Sequence, residues 1–244
     1  GCGYVLAYTD FTQEFEGEPE FNVATDPETG VGDATAVFHV KVTNTGDMAG
    51  KSIVQIYGQA PYTEGGVEKS AVQLLNFGKT DTLKPGESQV VSVEVDLQYI
   101  ASYDNTYDNG DGTVGTYILD PGTYYFAMGN GAHDALNHMM ARQGADPESL
   151  SGESNSAMAY EHKITEDFIS STAFSVSKTG EKIANQLDYA DWNYFRPGEV
   201  TYLSRTGWAG TYPKSYTDMT LVNEELINLL NGNYYTIQTD DDTS

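Results

Sequence analysis

Apolar and polar side chains alternate with a period of two along much of this chain, and turn chemistry breaks the pattern at short intervals. In Ala36–Asn44, the residues Ala36, Phe38, Val40 and Val42 alternate with Val37, His39, Lys41 and Thr43. A strand points successive side chains to opposite faces, so this stretch reads as a half-buried strand. Asn44-Thr45-Gly46-Asp47 closes it with turn residues. A second strand is predicted over 51–59, with Ile53, Val54, Ile56 and Tyr57 supplying apolar groups to both faces. In Leu83-Lys84-Pro85-Gly86-Glu87, proline presets φ and glycine accepts a positive φ, which makes a turn. After it Val91, Val93, Val95 and Leu97 alternate with Ser92, Glu94 and Asp96. Asp120-Pro121-Gly122 is a further turn before Tyr124, Phe126 and Met128, which share one face. Several short, turn-bounded strands indicate an antiparallel β-sandwich.

Helical spacing begins only after these strands. Ala132, Ala135, Leu136, Met139 and Met140 fall at i, i+3, i+4, i+7 and i+8, one apolar helix face. Gly144 is placed to stop that helix. Residues 145–185 are Ser-, Glu-, Gly- and Asn-rich and read as loop or extended connection. Val222, Leu226, Leu229 and Leu230 repeat at helical spacing up to Gly232, and residues 239–244 read as a solvated tail. Residues 186–216 have an unusual composition for a linker. They hold both tryptophans, Trp192 and Trp208, among Tyr189, Tyr194, Phe195, Tyr202 and Tyr212. A flexible tether is Gly-, Ser- or Pro-rich and does not expose large rings, so this segment wants a surface to lie on.

Composition removes whole function classes. The 244 residues include 36 acidic and 12 basic side chains, a formal charge of −24. Tracking a phosphate backbone needs clustered Lys and Arg, so no nucleic-acid partner is expected. No apolar run approaches the ~20 residues that cross a bilayer, so no membrane partner is expected either. The single cysteine, Cys2, excludes an internal disulfide framework and a thiolate zinc site. Gly1-Cys2-Gly3 shows no leader peptide and no initiator Met. The expectation is a piece of a longer polypeptide, with its compartment undetermined.

Candidate chemistry is sparse. His39 alternates to the polar face of its strand. His133 and His138 are five residues apart, so they do not form an i, i+4 metal pair. His133-Asp134 reads either as a base with its partner or as an acidic residue favoured by a helix N-terminus. The structural reading is preferred, because no nucleophile is placed beside the pair. Asp104, Asp108 and Asp111 lie among Asn and Gly, but EF-hand spacing would put Tyr107 first and Ile118 twelfth, which defeats that reading. A long polar hairpin loop accounts for them better, and a looser calcium site stays open. Glu14, Glu16, Glu18 and Glu20 alternate along a solvated edge. No catalytic residue, metal ligand or cofactor is assigned.

Four stretches in order resemble the fibronectin type III-like domain of glycoside hydrolase family 3. They are Gly3-Tyr4-Val5-Leu6-Ala7-Tyr8-Thr9-Asp10-Phe11; Val42-Thr43-Asn44-Thr45-Gly46-Asp47-Met48-Ala49-Gly50-Lys51 with Val54-Gln55-Ile56-Tyr57; Leu75-Asn76-Phe77-Gly78-Lys79 through Leu83-Lys84-Pro85-Gly86-Glu87-Ser88; and Pro121-Gly122-Thr123-Tyr124. Val5 and Ala7 stand where the family usually has Gly and Ser. Residues 129–137, together with Tyr202-Leu203-Ser204-Arg205, Trp208 and Gly210-Thr211-Tyr212-Pro213, are similar to bacterial members of permuted domain order. In those the α/β sandwich comes first, then this domain, then the catalytic barrel.

The resemblance implies a mainly β fold: a fibronectin type III- and immunoglobulin-like antiparallel β-sandwich with a trailing helix over 1–150. An extended, partly helical strap over 151–244 would follow. It also implies an accessory role in a β-glucosidase-type enzyme that hydrolyses β-linked sugars with retention, using carboxylates carried elsewhere. The implied partners are the barrel and α/β sandwich domains of the same polypeptide. A barrel takes ~250 residues, so none of its catalytic residues has a counterpart here. The competing expectation is a carbohydrate-binding module that stacks a β-linked oligosaccharide on Trp192, Tyr194, Trp208 or Tyr212.

Overall fold

A computed structural model describes residues 8–25, 28–29, 32–165 and 174–205. The chain divides into two compact units, Gly1–Pro197 and Gly198–Ser244. The opening stretch from Gly3 to Ala7 and the amphipathic repeat Val222–Leu230 lie outside the described residues.

The first sheet is organised on one long strand, β3 (Gly32–Asn44). β1 (Phe11–Phe15) pairs with its second half, Phe11 opposite Asn44 through Phe15 opposite Val40. β2 (Glu20–Thr25) pairs with its first half, from Glu20 opposite Val37 to Thr25 opposite Gly32. The two short strands therefore share one edge of β3. β6 (Ser88–Asp96) runs antiparallel along the other edge, from Thr35 opposite Asp96 to Thr43 opposite Ser88. The second sheet is built from β4 (Ile53–Gln59), β5 (Gln73–Lys79), β9 (Gly122–Met128) and β10 (Ala159–Ile164). Its strand order is β10-β9-β4-β5. A separate hairpin joins β7 (Ser102–Asp108) to β8 (Val114–Ile118).

The core lies between the two sheets, and the alternation predicts it residue by residue. Ala36, Phe38, Val40 and Val42 of β3 and Val91, Val93 and Val95 of β6 meet Val54 and Ile56 of β4 and Tyr124, Phe126 and Met128 of β9. Phe38 and Phe126 pack with ring centres 5.2 Å apart, and Phe15 and Phe21 lean on Phe38 at 6.0 and 6.2 Å. Burying one such large apolar side chain contributes ~1.5–3 kcal/mol. Tyr124 is buried in this layer and donates from its hydroxyl to the Asp120 carbonyl at 3.1 Å. Burial, and then the charge of Asp120, raises its phenol well above its ordinary value. A buried tyrosine tied back to the chain four residues upstream is the arrangement of a tyrosine corner.

Three of the family-like stretches meet at Asn44, which is fully buried. Its Oδ1 accepts from the Thr9 hydroxyl (2.8 Å) and from the Gly46 N–H (3.1 Å). Its Nδ2 donates to the Met48 (2.7 Å) and Leu83 (2.9 Å) carbonyls. The Asn44 backbone takes the Gly86 N–H and donates to the Glu87 carbonyl, closing on the Pro-Gly turn. The Thr45 and Gly46 N–H groups both donate to the Asp10 carbonyl. A Cβ on Gly46 would stand 2.5 Å from the Asp10 nitrogen, so glycine is required there by contact.

The predicted helix is α1 (Ala132–Arg142). It covers the outer face of the second sheet through Ala135 and Met139, which are buried with Tyr57, Ala127 and Ala159. This explains the apolar groups on both faces of β4: Val54 and Ile56 serve the core while Tyr57 serves the helix. A Cβ on Gly129 would lie 2.7 Å from the Ala135 nitrogen, so glycine lets the helix start directly against the end of β9. Among the described residues no helix is long and apolar enough to cross a membrane.

One element differs from the sequence reading. Residues 159–164, expected in a loop or extended connection, form β10 and pair with β9, Ala159 opposite Ala127 and Ile164 opposite Gly122. The side chains turned toward the first sheet are Tyr160, His162 and Ile164. Two of them are rings with polar atoms, so hydrophobic periodicity does not mark the strand. His162 stacks on Phe21 with ring centres 3.6 Å apart and planes at 10°, which closes the seam between β2 and β10.

Candidate functional site: an exposed aromatic cluster

Phe174 anchors the chain ahead of the aromatic segment. Its side chain is buried in the main core, and its N–H donates to the Tyr117 carbonyl of β8 at 2.8 Å. A tight turn follows, with Val176 bridged to Lys182 and the Ser177 N–H donating to the Glu181 carbonyl. Lys178 pairs with Asp96 at the end of β6, and Lys182 pairs with Asp111 in the β7–β8 hairpin. Asn185 then caps the Leu187 N–H at 3.0 Å, and a short 3-10 turn runs over Asp188–Ala190. Asp191 is the N-cap of a one-turn helix, Trp192–Phe195, and accepts from the Asn193 N–H at 2.9 Å. An Asp at this position satisfies an otherwise orphaned donor.

These local bonds hold four rings outward. Tyr189 is 75% exposed, Phe195 59%, Trp192 54% and Tyr194 49%. Tyr194 meets Tyr189 and Phe195 edge-on, each with centres 5.1 Å apart and planes at 63° and 80°. The Arg196 guanidinium stands over Trp192, 5.5 Å from the ring centre, a cation–π geometry. Tyr189, Tyr194 and Phe195 are thus ordered by contacts with each other, and Trp192 by Arg196, while their outer surfaces face solvent. Large exposed apolar patches of this kind mark interaction surfaces. Two of the predicted binding residues, Trp192 and Tyr194, belong to this cluster. Trp208 and Tyr212 lie outside the described residues. In the second unit, Tyr202 and Leu203 are also exposed.

The histidines take structural roles. His39 lies on the outer face of β3 with Nδ1 2.8 Å from the Ser92 hydroxyl. Asp134 faces His138 (3.5 Å), one helical turn on, and not His133; its other oxygen accepts from the Asn130 N–H. His138 is buried, and its Nδ1 accepts from the Asn155 N–H at 3.0 Å. Burial lowers its pKa, opposed by the charges of Asp134 and Glu153. His133 Nε2 lies 2.6 Å from the Ser151 carbonyl and 3.0 Å from its hydroxyl. A nitrogen that donates to the carbonyl has no lone pair for the hydroxyl proton, so Ser151 is not activated as a nucleophile. In the acidic hairpin each carboxylate turns on its own backbone. Asp104 accepts from Thr106, Asp108 from Gly110 and Asp111 from Thr113. Among the described residues no group of three or more His, Cys, Asp or Glu side chains is placed to hold a metal ion.

Burial also lowers the pKa of His162. Both His138 and His162 therefore bind protons less readily in the folded chain than in the unfolded one. Their share of stability is intact above the ordinary value of 6.5 and is lost as pH falls below it. Thermal unfolding followed from pH 7.5 down to pH 5 should show Tm falling, before most carboxylates titrate. His162→Phe, which keeps the stack on Phe21, should reduce the fall, and a Tm that stays level across the interval contradicts this account.

Residues 52–132 match the family model of the fibronectin type III-like domain. Over 137 residues, 54% of the chain, the sequence is 37% identical to β-glucosidase A of Butyrivibrio fibrisolvens. Over 133 residues, also 54% of the chain, it is 36% identical to a β-glucosidase of Ruminococcus albus. Those matches span 16% and 12% of the relatives' own lengths. The crystal structure of a β-glucosidase from Paenibacillus barengoltzii matches 54% of the chain and 13% of its own, at 36% identity and a TM-score of 0.44.

Proposed function

We infer that this chain, a fibronectin type III-like sandwich with its following segment, is the non-catalytic accessory portion of a β-glucosidase of glycoside hydrolase family 3. Residues 1–150 are the sandwich with its trailing helix. Residues 151–244 are a strap that first adds β10 to the sheet edge and then carries the aromatic cluster outward. The module bridges and steadies the α/β sandwich and catalytic barrel domains of the same polypeptide. The observation that carries this reading is the cluster itself: four large rings, three packed on one another and Trp192 under Arg196, with about half or more of their surface in water. The relatives, in which the match occupies a small fraction of a β-glucosidase, support it. The test is reconstitution. Adding this chain to the separately expressed remainder of the parent should form a complex and restore or stabilise β-glucoside hydrolysis. A mixture that forms no complex counts against the proposal.

The half-exposed Trp192 and Tyr194 favour a second reading, a carbohydrate-binding face that also uses Trp208 and Tyr212. A sugar chain stacks best on rings lying in one plane, whereas Tyr194 stands at 63° and 80° to its neighbours. Titration with cello-oligosaccharides separates the two: a change in heat or tryptophan fluorescence supports the sugar face, and none supports the bridging role.

A further inference from the structure

An asparagine followed by glycine is the dipeptide in which a chain most readily attacks itself. Glycine has no side chain to obstruct its own nitrogen, and its backbone turns freely. The chain holds three such pairs, Asn109-Gly110, Asn130-Gly131 and Asn231-Gly232, the last outside the described residues. The reaction needs a glycine nitrogen that is free and an asparagine amide that can turn toward it. The fold treats the two described pairs in opposite ways.

Asn109 is held at both reacting groups. In the β7–β8 hairpin its Nδ2 donates to the Thr113 hydroxyl and to the Gly115 carbonyl, both at 3.2 Å. Its backbone N–H donates to the Thr113 carbonyl at 3.1 Å. The Gly110 N–H, the attacking group, donates to the Asp108 carboxylate at 2.8 Å and has to give up that bond before it can react. Asn130 is exposed, at the junction of β9 and α1. Its backbone N–H donates to the Asp134 carboxylate at 2.9 Å, which fixes the main chain there. Its side-chain amide and the Gly131 N–H have no hydrogen-bond partner among the described residues. A Cβ on Gly131 would meet nothing within 4 Å, so the space beside the attacking nitrogen is open.

We propose that Asn130-Gly131 is a spontaneous modification site of the folded chain, where Asn130 passes through a succinimide to aspartate and isoaspartate while Asn109 is protected by its hairpin. The Gly131 nitrogen gives its proton to water and bonds to Asn130 Cγ. The Cγ–Nδ2 bond breaks, and Nδ2 leaves as ammonia. Water then opens the ring at either carbonyl. One product is aspartate in the ordinary linkage. The other is isoaspartate, whose main chain runs through Cβ and Cγ and is longer by one methylene. That extra atom falls where β9 and α1 have no slack, since a Cβ on Gly129 would already stand 2.7 Å from the Ala135 nitrogen. The site is independent of the bridging role, because neither residue belongs to the aromatic cluster.

The test is to age the full chain in mildly alkaline buffer and follow each asparagine by peptide mass spectrometry, with isoaspartyl methyltransferase labelling to identify the isoaspartate. In the folded chain Asn130 should react at least about tenfold faster than Asn109, the factor that three ordinary hydrogen bonds at the protected pair supply. Unfolded in urea, the two should react at similar rates. Gly131→Ala, which fits the open space and obstructs ring closure, should slow Asn130 and leave Asn109 unchanged. Asp108→Ala, which frees the Gly110 N–H, should speed Asn109 severalfold, and provides the test if the Gly131 variant disturbs the start of α1. Modification of Asn109 as fast as Asn130 in the folded chain, no product at Asn130 unless the chain is unfolded, or rates that neither variant changes would each overturn the proposal.

Discussion

Asn44→Ala is expected to lower the stability of the sandwich by about 3–5 kcal/mol, among the largest effects a single truncation can have here. The size follows from what is left behind. The wild-type amide makes four hydrogen bonds in a fully buried position, two accepted and two donated. A buried group that loses its partner costs ~1–3 kcal/mol, more than the net worth of the bond. Alanine orphans the Met48 carbonyl and the Thr9 hydroxyl outright, while the Leu83 carbonyl keeps the Gly50 N–H as a second donor. At ~2–4 °C per kcal/mol for a chain of this size, Tm should fall by about 10 °C. Thr9→Val removes one of the four bonds and should cost only about 1 kcal/mol. Asn44→Asp should be nearly as damaging as alanine, because it turns oxygen toward two carbonyls that need a donor. Thermal unfolding of the three variants decides the matter, and an Asn44→Ala loss no larger than that of Thr9→Val would show that the junction does not act as a unit.

Asn44 also shows what can be read from the chain and what cannot. Its turn chemistry is plain in Asn44-Thr45-Gly46-Asp47, and so is the Pro-Gly turn at Leu83–Glu87, but nothing local says that the two turns and the Thr9 segment share one buried amide. That is a contact across 35 and 39 residues. The three strands with regular alternation, over 36–44, 91–97 and 123–129, and the helix Ala132–Arg142 are legible, because each buries one main face against a neighbour and side-chain period records that directly; β4, apolar on both faces, is legible as a strand but not by alternation. The edge strands are harder. β1 and β2 alternate glutamates outward, which reads as a solvated edge, while their inward residues, Phe11, Phe15 and Phe21, are too widely spaced to mark two strands. β5 is disguised by an extra residue of its own: Ile56 faces Asn76 but the next residue, Tyr57, faces Leu74, so Leu75 is bulged and the period of β5 breaks. β10 presents His162 and Tyr160 inward, and a hydropathy pattern counts neither as core. At the aromatic segment, composition alone flags the residues, since large rings outside a core need a reason. Which rings pack on which depends on the caps at Asn185 and Asp191, and those are visible only once the turns are in place.

On the bridging reading proposed above, replacing Tyr189, Trp192, Tyr194 and Phe195 together by serine should leave the sandwich folded and yet abolish most of its affinity for the domains it is proposed to bridge. The first half follows from exposure. These side chains bury little in the chain itself, and each ring-on-ring pair removed is worth only ~0.5–1.5 kcal/mol. They sit on an extension whose anchor, Phe174, is untouched, so Tm should move by no more than a few degrees. The second half follows from how interfaces distribute energy. A few aromatic anchors dominate, and each such truncation costs ~2 kcal/mol or more when the ring is buried against a partner. Two of four rings acting as anchors would weaken association by about a thousandfold, at ~1.4 kcal/mol for each factor of ten. Trp192 supplies an internal probe. Docking should shift its emission to the blue as its exposed surface leaves water, and Arg196→Ala should change that spectrum with a smaller loss of affinity, because a cation–π contact at an exposed site is worth ~0.5–1 kcal/mol. A fourfold variant that binds the remaining domains as tightly as wild type would remove the aromatic cluster from the interface and, with it, the argument for a bridging strap.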